Sequence, residues 1–225
     1  MRGKLIVIEG TDSSGKETQA KILVERLQKE NAKIVYKTFP NYNSPTGKIV
    51  GGPYLGKPNI CEGWFKENAV NVDPKVASLY FAADRKYNIS ELEILLNNGY
   101  NIILDRYTDS NMAHQAGKIF DKKKRLELYK WIEDLEFGLL ELPKPDYTVF
   151  LHLPYQYSVK ALQLREEKAD QHESSEEHLK NAEQAYLEIA KMHNYITIEC
   201  IENNRRRHID ELGNEIYEIV NRIIK

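Results

Sequence analysis

The chain has 225 residues, 41% of them hydrophobic, with a formal net charge of −2. That length and composition suit one α/β domain with its own core and exclude extensive disorder. The near-neutral balance offers no global attraction to nucleic acid or to an anionic membrane, so a phosphate ligand must be met by a local cluster of donors.

The first predicted element is a strand, Leu5–Glu9. Its apolar part is too short for a signal-peptide core, and no run in the chain approaches the ~20 apolar residues of a membrane helix. The expectation is a soluble, cytoplasmic protein. Next comes Gly10-Thr11-Asp12-Ser13-Ser14-Gly15-Lys16-Glu17-Thr18, opening a helix over Lys16–Asn31 with Ile22, Leu23 and Leu27 on one face. Strand, glycine-framed turn, lysine and helix in that order form a phosphate loop, with Gly10 to Thr18 as the ATP-binding residues. Gly10 and Gly15 let successive backbone N–H groups turn inward. The helix start adds its positive dipole end, and Lys16 adds a point charge for the β and γ phosphates. The position after the lysine usually supplies a hydroxyl to Mg2+. Here it is Glu17, with Thr18 one place late, and the Glu17 carboxylate is a candidate metal ligand.

A second strand is predicted over Lys33–Thr38, followed by Phe39-Pro40 and a helix over Pro74–Asn97 that places Val76, Leu79, Tyr80 and Ala83 together. The strand Asn101–Asp105 ends in Asp105-Arg106-Tyr107. A buried strand ending in aspartate has the form of a Walker B element that orients Mg2+, and Arg106 can make a planar, bidentate contact to phosphate. Strands at Tyr147–Leu153 and Tyr195–Cys200 and helices at Glu176–His193 and Ile209–Ile224 complete the alternation. Alternating strands and helices imply a parallel sheet flanked by helices, with ligands beyond the carboxyl ends of the strands. Cys61 and Cys200 form no C-x-x-C pair and read as free thiols. Residues 164–177, LREEKADQHESSEE, are charged and poor in apolar side chains. On composition they suit a solvated helix and loop, and in a nucleotide enzyme a mobile lid. Arg205-Arg206-Arg207 suits a solvated turn better than a binding patch, because nothing aromatic interleaves it. No guanine-reading Asn-Lys-x-Asp follows a strand, which argues against a GTP switch.

An ordered set of motifs resembles the thymidylate kinase family over roughly Lys4 to Ala190. The pieces are Glu9-Gly-Thr-Asp-Ser-Ser-Gly-Lys16, Phe39-Pro40, Leu79-Tyr-Phe-Ala-Ala-Asp-Arg85, Asp105-Arg-Tyr with Ser110-Asn111, and Leu142-Pro-Lys-Pro-Asp146. The resemblance implies a P-loop, three-layer kinase with a lid, forming a homodimer and using ATP, Mg2+ and thymidine monophosphate. It implies that Asp12 accepts from the sugar 3′-hydroxyl, Phe81 stacks on the base, Arg85 donates to a base carbonyl, and Arg106 clamps the acceptor phosphate. Phe39, Pro40 and Tyr42 would line the acceptor pocket. Asn111 and Gln115 would face the base, with Ser110 a weaker candidate. Lys16, Asp12, Arg106 and Arg165 are then the catalytic set, and Glu17 and Asp105 the metal ligands. The sequence departs from the family pattern in places. Asn41 and Tyr42 follow Phe-Pro where an arginine is common, and His114 stands at an aromatic position and reads as packing. The phosphate loop carries Ser13 and Ser14 rather than an arginine. Gln171 replaces a frequent lid arginine, which leaves Arg165, with Lys168 behind it, as the transition-state cation. Rival readings are a kinase for another pyrimidine or deoxynucleoside monophosphate, and a weakly active nucleotide-binding regulator.

Overall fold

A computed structural model describes residues 1–164, 170–173 and 175–225. Five strands, β1 (Leu5–Gly10), β2 (Ile34–Thr38), β3 (Asn101–Asp105), β4 (Tyr147–His152) and β5 (Ile196–Glu199), form a parallel sheet in the order β2-β3-β1-β4-β5. Every residue of β1 is buried, as expected of a central strand covered by helices on both faces. Side chains alternate across it. Ile6 and Ile8 pack with Leu23, Leu27, Ile216 and Val220 of α1 (Lys16–Lys29) and α8 (Ile209–Ile224). Leu5 and Val7 pack on the other face with Ile89, Leu92 and Leu96 of α3 (Pro74–Asn97). Each fully buried side chain of this kind contributes about 1.5–3 kcal/mol. The register sets Asp105 of β3 opposite Ile8 of β1 and Thr38 of β2, so three strand ends open at one level.

Local signals explain the helix limits. Asp73 caps α3 by accepting from the backbone N–H groups of Lys75 and Val76, and Pro74 takes the first helical position, where no donor is needed. Ser175 caps α7 (Glu176–His193), and Asn194 ends it in the left-handed region. His208 and Glu211 form a reciprocal capping box on α8.

The predicted strands and long helices are all present, within two residues of the expected limits. The expected inner faces need correction. Ile22 is largely exposed, and on α3 the residues Val76, Leu79 and Ala83 point outward while Ala77, Ser78, Ala82, Asp84 and Arg85 point in. Up to Arg85 the inward face of α3 is built from small and polar residues because it approaches the ligand cleft, and a reading of apolar spacing selects the opposite side there; Ile89, Leu92 and Leu96 continue it into the core. Additional helices lie between the predicted elements. They are α2 (Pro45–Ile49), which widens into a π turn over Val50–Tyr54, α4 (Thr108–Ala116), α5 (Lys122–Glu133), with a π turn over Asp134–Leu139, and α6 (Tyr155–Gln163). Every residue of α4 is buried, so it has no polar face and no amphipathic period to read. A short antiparallel pair, β6 (Ile201–Glu202) and β7 (Arg205–Arg206), turns at Asn203 and Asn204, both at positive φ. Among the described residues no helix is long and apolar enough to cross a membrane.

Candidate active site

The loops leaving β1, β2 and β3 enclose a cleft of about 700 Å³. The phosphate loop forms one end. A Cβ at Gly10 would lie 2.8 Å from the Leu151 carbonyl oxygen, so only glycine lets β1 turn beside β4. Ser13 and Gly15 adopt positive φ of 59° and 90°, which curls the backbone into a concave nest. The loop is braced from beneath: the Thr11 hydroxyl donates to the Leu153 carbonyl at 2.7 Å, and Ser158 Oγ donates to the Asp12 carbonyl at 2.7 Å. Lys16 is buried, and its Nζ donates to the Thr11 carbonyl at 3.2 Å. Burial and the neighbouring Arg106 charge lower its pKa against the pull of Asp12, Asp105 and Glu9. Lysine and arginine held this close together form a local concentration of positive charge suited to a phosphate. The Arg205-Arg206-Arg207 run follows an exposed turn, as expected, with Arg205 and Arg206 exposed and Arg207 half-buried. Arg206 Nη2 donates to the Ser13 carbonyl at 2.6 Å, Arg207 pairs with Glu215 at 2.7 Å, and Arg205 pairs with Glu211 at 3.2 Å.

Asp105 stands at the end of β3. Its Oδ2 accepts from the Tyr36 hydroxyl at 3.2 Å, while Oδ1 is buried with no hydrogen-bond partner. Burial raises its pKa against the lowering charges of Lys16 and Arg106. An orphaned carboxylate oxygen facing the phosphate loop fits Mg2+, which takes oxygen ligands. Glu17 also lines the cleft, but its carboxylate is exposed and pairs with Lys21 at 2.6 Å across one helical turn.

Asp12 and Arg106 meet in the middle of the cleft at 2.6 Å. Burial opposes ionisation of Asp12. The charges of His114, which is protonated only in the acid range where Asp12 titrates, and of Arg106 and Lys16 outweigh it and hold the carboxyl far below its usual range. Arg106 has a positive φ of 64°, a strained position for a side-chain-bearing residue. Its Nη1 donates to Ser110 Oγ at 3.2 Å and to the Tyr186 hydroxyl at 3.3 Å, so Ser110 orients the guanidinium.

The other end of the cleft is lined by Phe39, Pro40, Tyr42, Phe81, Arg85 and Asn111. The Phe39–Pro40 peptide is cis. Phe81 packs edge-on against Tyr54, with ring centroids 5.6 Å apart. Arg85 is fully buried, and Glu136 holds its Nε and Nη2, the latter at 2.5 Å; Nη1 lies 3.5 Å from the Tyr107 carbonyl. Asn111 Nδ2 donates to Glu136 at 3.0 Å and leaves Oδ1 buried without a partner. Gln115 is not among the cleft-lining residues. It lies behind them, 3.5 Å from the Tyr54 hydroxyl.

Three buried acids support these groups, and the sequence reading assigned none of them a role. Glu9 reaches from β1 to cap α4, accepting from the backbone N–H groups of Tyr107 at 2.8 Å and Ser110 at 3.1 Å. Asp84 fixes the loop after Pro40 by accepting from Asn41 N, Ser44 Oγ and Thr46 Oγ1 at 2.8–3.0 Å. Glu136 sits on the π turn after α5 and fixes Arg85. Glu9 and Asp84 lay inside quoted motifs without a role and Glu136 outside them; Asp84 and Glu136 act across long sequence separations that carry no local signal. Arg165 and Lys168 lie outside the described residues. Gln171, at the frequent arginine position, is not among the cleft-lining residues, and its Oε1 accepts from Ala69 N at 2.5 Å. His114 is not a lone packing residue. It lines the cleft 3.8 Å from Asp12 and stacks with His172 and His178.

A parallel sheet carrying a phosphate loop, at one end of a cleft whose other end is lined by Phe81, Arg85 and Asn111, defines a P-loop phosphotransferase of the nucleotide kinase class. The sequence model of the family described as thymidylate kinase matches residues 8–210, and the chain belongs to that family. It is similar to the thymidylate kinase of Schizosaccharomyces pombe, with 29% identity over 99% of this chain and 93% of that one. The thymidylate kinase of Dictyostelium discoideum shares 32% identity over 97% of this chain and 85% of that one. A solved thymidylate kinase structure from Candida albicans superimposes with a TM-score of 0.74 at 30% identity, covering 98% of this chain and 92% of that one.

Proposed function

We propose that this chain transfers the γ-phosphate of ATP to thymidine monophosphate, giving thymidine diphosphate and ADP. The observation that carries the reading is the shared cleft. The phosphate loop lies at one end, Phe81, Arg85 and Asn111 at the other, and the Asp12–Arg106 pair between them. Lys16 and the backbone N–H groups of Gly10 to Thr18 hold the donor phosphates. Asp105, with Glu17 at the rim, would hold Mg2+, which would supply charge neutralisation at the phosphate oxygens. The acceptor phosphate draws Arg106 from Asp12 into a bidentate grip, and Asp12 then accepts from the sugar 3′-hydroxyl. Phe81 stacks on the base and Arg85 donates to its edge, beside Asn111. Phe39, Pro40 and Tyr42 close the pocket, and Gln115 supports it from behind. The attacking oxygen is already an anion, so the protein's task is alignment rather than proton removal. On sequence grounds Arg165, with Lys168 behind it, is the transition-state cation, a role worth ~10³–10⁵ in rate.

We further infer a cytoplasmic enzyme, one kinase domain over residues 1–225 with a lid at about 164–177, that works as a homodimer. The outward apolar face of α3 supports the dimer. Val76, Leu79, Tyr87 and Ile94 lie along it, 42–61% exposed.

ADP release measured over a panel of nucleoside monophosphates tests the activity. Thymidine monophosphate should be preferred. Deoxyuridine monophosphate should be poorer but detectable, since a methyl niche supplies only ~1–3 kcal/mol. Preference for guanosine or cytidine monophosphate would remove the thymidylate assignment. Near-normal turnover in Lys16→Ala would remove the phosphate loop as donor site.

A further inference from the structure

Three histidines from separate parts of the chain converge beside Asp12. His114 lies near the end of α4, His178 in the first turn of α7, and His172 in the connection that precedes α7. All three are buried, and one nitrogen from each ring can be chosen so that the three lie within 4.8 Å of one another. His114 Nδ1 and His178 Nε2 are 3.1 Å apart. On a tetrahedral zinc ion with bonds of about 2.0–2.1 Å, two ligand nitrogens stand about 3.3 Å apart, so this pair already has nearly the required spacing. We propose that His114, His172 and His178 form a binding site for a divalent transition-metal ion of the Zn2+ type, separate from the Mg2+ position at Asp105.

The chemistry of the surroundings supports the assignment. Burial pushes His114 down to about 3 and His178 down to about 4, and holds His172 well below its usual value. All three rings are therefore neutral at physiological pH, the state in which an imidazole offers a lone pair. Three imidazoles suit zinc, copper or nickel and are a poor match for Mg2+, which selects oxygen. Ligand rings are normally oriented by outer partners. Here the Tyr54 hydroxyl lies 3.0 Å from His172 Nε2 and is itself held by Lys118 Nζ at 3.2 Å. The Asp12 carboxylate, 3.8 Å from His114 Nε2, supplies the nearest negative charge. Lys118 faces the same cluster, and burial lowers its pKa to about 7, which reduces its repulsion of a bound cation. Water completes the fourth position. The ion would tie the 170–173 connection to α4 and α7, and so restrain the wall of the cleft next to Asp12.

The test is a titration of Zn2+ into the metal-stripped full chain in the presence of excess Mg2+, read by competition with a chromophoric chelator. One Zn2+ should bind per chain and raise the thermal midpoint. His178→Gln and His172→Gln should each weaken it by more than ~10–100-fold, the usual cost of losing only an outer partner of a ligand. Unchanged affinity in both variants would place the ion on carboxylates and overturn the proposal, as would the absence of saturable binding. Cobalt loading of the unaltered chain gives a reading that needs no variant. Tetrahedral ligand-field bands support the three-histidine site, and a purely octahedral spectrum overturns it.

Discussion

Arg106 combines a left-handed backbone, a half-buried guanidinium and a 2.6 Å bond to Asp12. Neighbours hold it there, since Ser110 and Tyr186 both receive its N–H groups. At this scale much of the site was legible in the sequence, because the phosphate loop and the Asp105-Arg106-Tyr107 run are contiguous and their roles follow from local geometry. What could not be read is pairing at a distance. Arg85 presented as an isolated helix charge, and its partner Glu136 lies 51 residues away on a π turn. Two predictions belong here. The unpartnered oxygen is on Asp105, whereas Glu17 already pairs with Lys21. Asp105→Asn should therefore raise the Mg2+ needed for half-maximal activity strongly, and Glu17→Gln only a few-fold. A metal titration in which Glu17→Gln has the larger effect would make Glu17 the principal ligand. The second concerns Phe81, which lines the acceptor end. Phe81→Ala should cost acceptor binding ~1–3 kcal/mol, as for aromatic–base stacking. The KM for ATP should hardly move, and steady-state kinetics with each nucleotide varied in turn checks both.

Among the elements, α4 is the one that joins the two halves of the site. Its start lies under the Glu9 carboxylate, and its body carries Ser110, Asn111 and His114 into the cleft. That role requires burial on every side, so the helix lacks the apolar-polar alternation that reveals α7 and α8 in the sequence. Its burial also has a titration consequence. Asp109, in the first turn, is pushed up to about 8, far above the usual carboxylate range, by burial and by the neighbouring Glu9 charge. A carboxyl raised in the folded state holds a proton that the unfolded chain has already released. Its contribution to stability is complete below pH ~4 and is lost as pH rises through about 8. Thermal unfolding followed from pH 5 to 9 should thus show a midpoint falling with pH from this group, and Asp109→Asn should flatten that slope. A variant with the same pH slope as the unaltered chain would show that Asp109 ionises normally.

For the molecule as a whole, α3 sets the proposed dimer face and the cleft-facing residues on opposite sides of one helix. Ser78, Ala82 and Arg85 face the site, while Val76, Leu79, Tyr87 and Ile94 face outward. Of the residues that spacing in the sequence grouped, Val76, Leu79 and Ala83 share the outward side while Tyr80 packs inward against Tyr54 and Phe65, and a single chain cannot say whether an apolar stripe meets its own core or a second copy. Burying one large apolar side chain at an interface is worth about 1.5–3 kcal/mol, and placing a carboxylate in that contact adds a desolvation cost. In a symmetric pair each substitution enters twice, so Leu79→Glu should weaken a dimer by at least ~100-fold, or about 2.7 kcal/mol. Sedimentation velocity over a dilution series reads this directly: the unaltered chain should remain a dimer where Leu79→Glu is a monomer. The monomer should keep its fold by circular dichroism, because Leu79 is half exposed at 50%. Its KM for thymidine monophosphate should rise more than its KM for ATP, because α3 carries Phe81 and Arg85 whereas the phosphate loop stands on β1 and α1. An unaltered chain that sediments as a monomer at all concentrations would show that the stripe is solvent-facing and the homodimer assignment wrong.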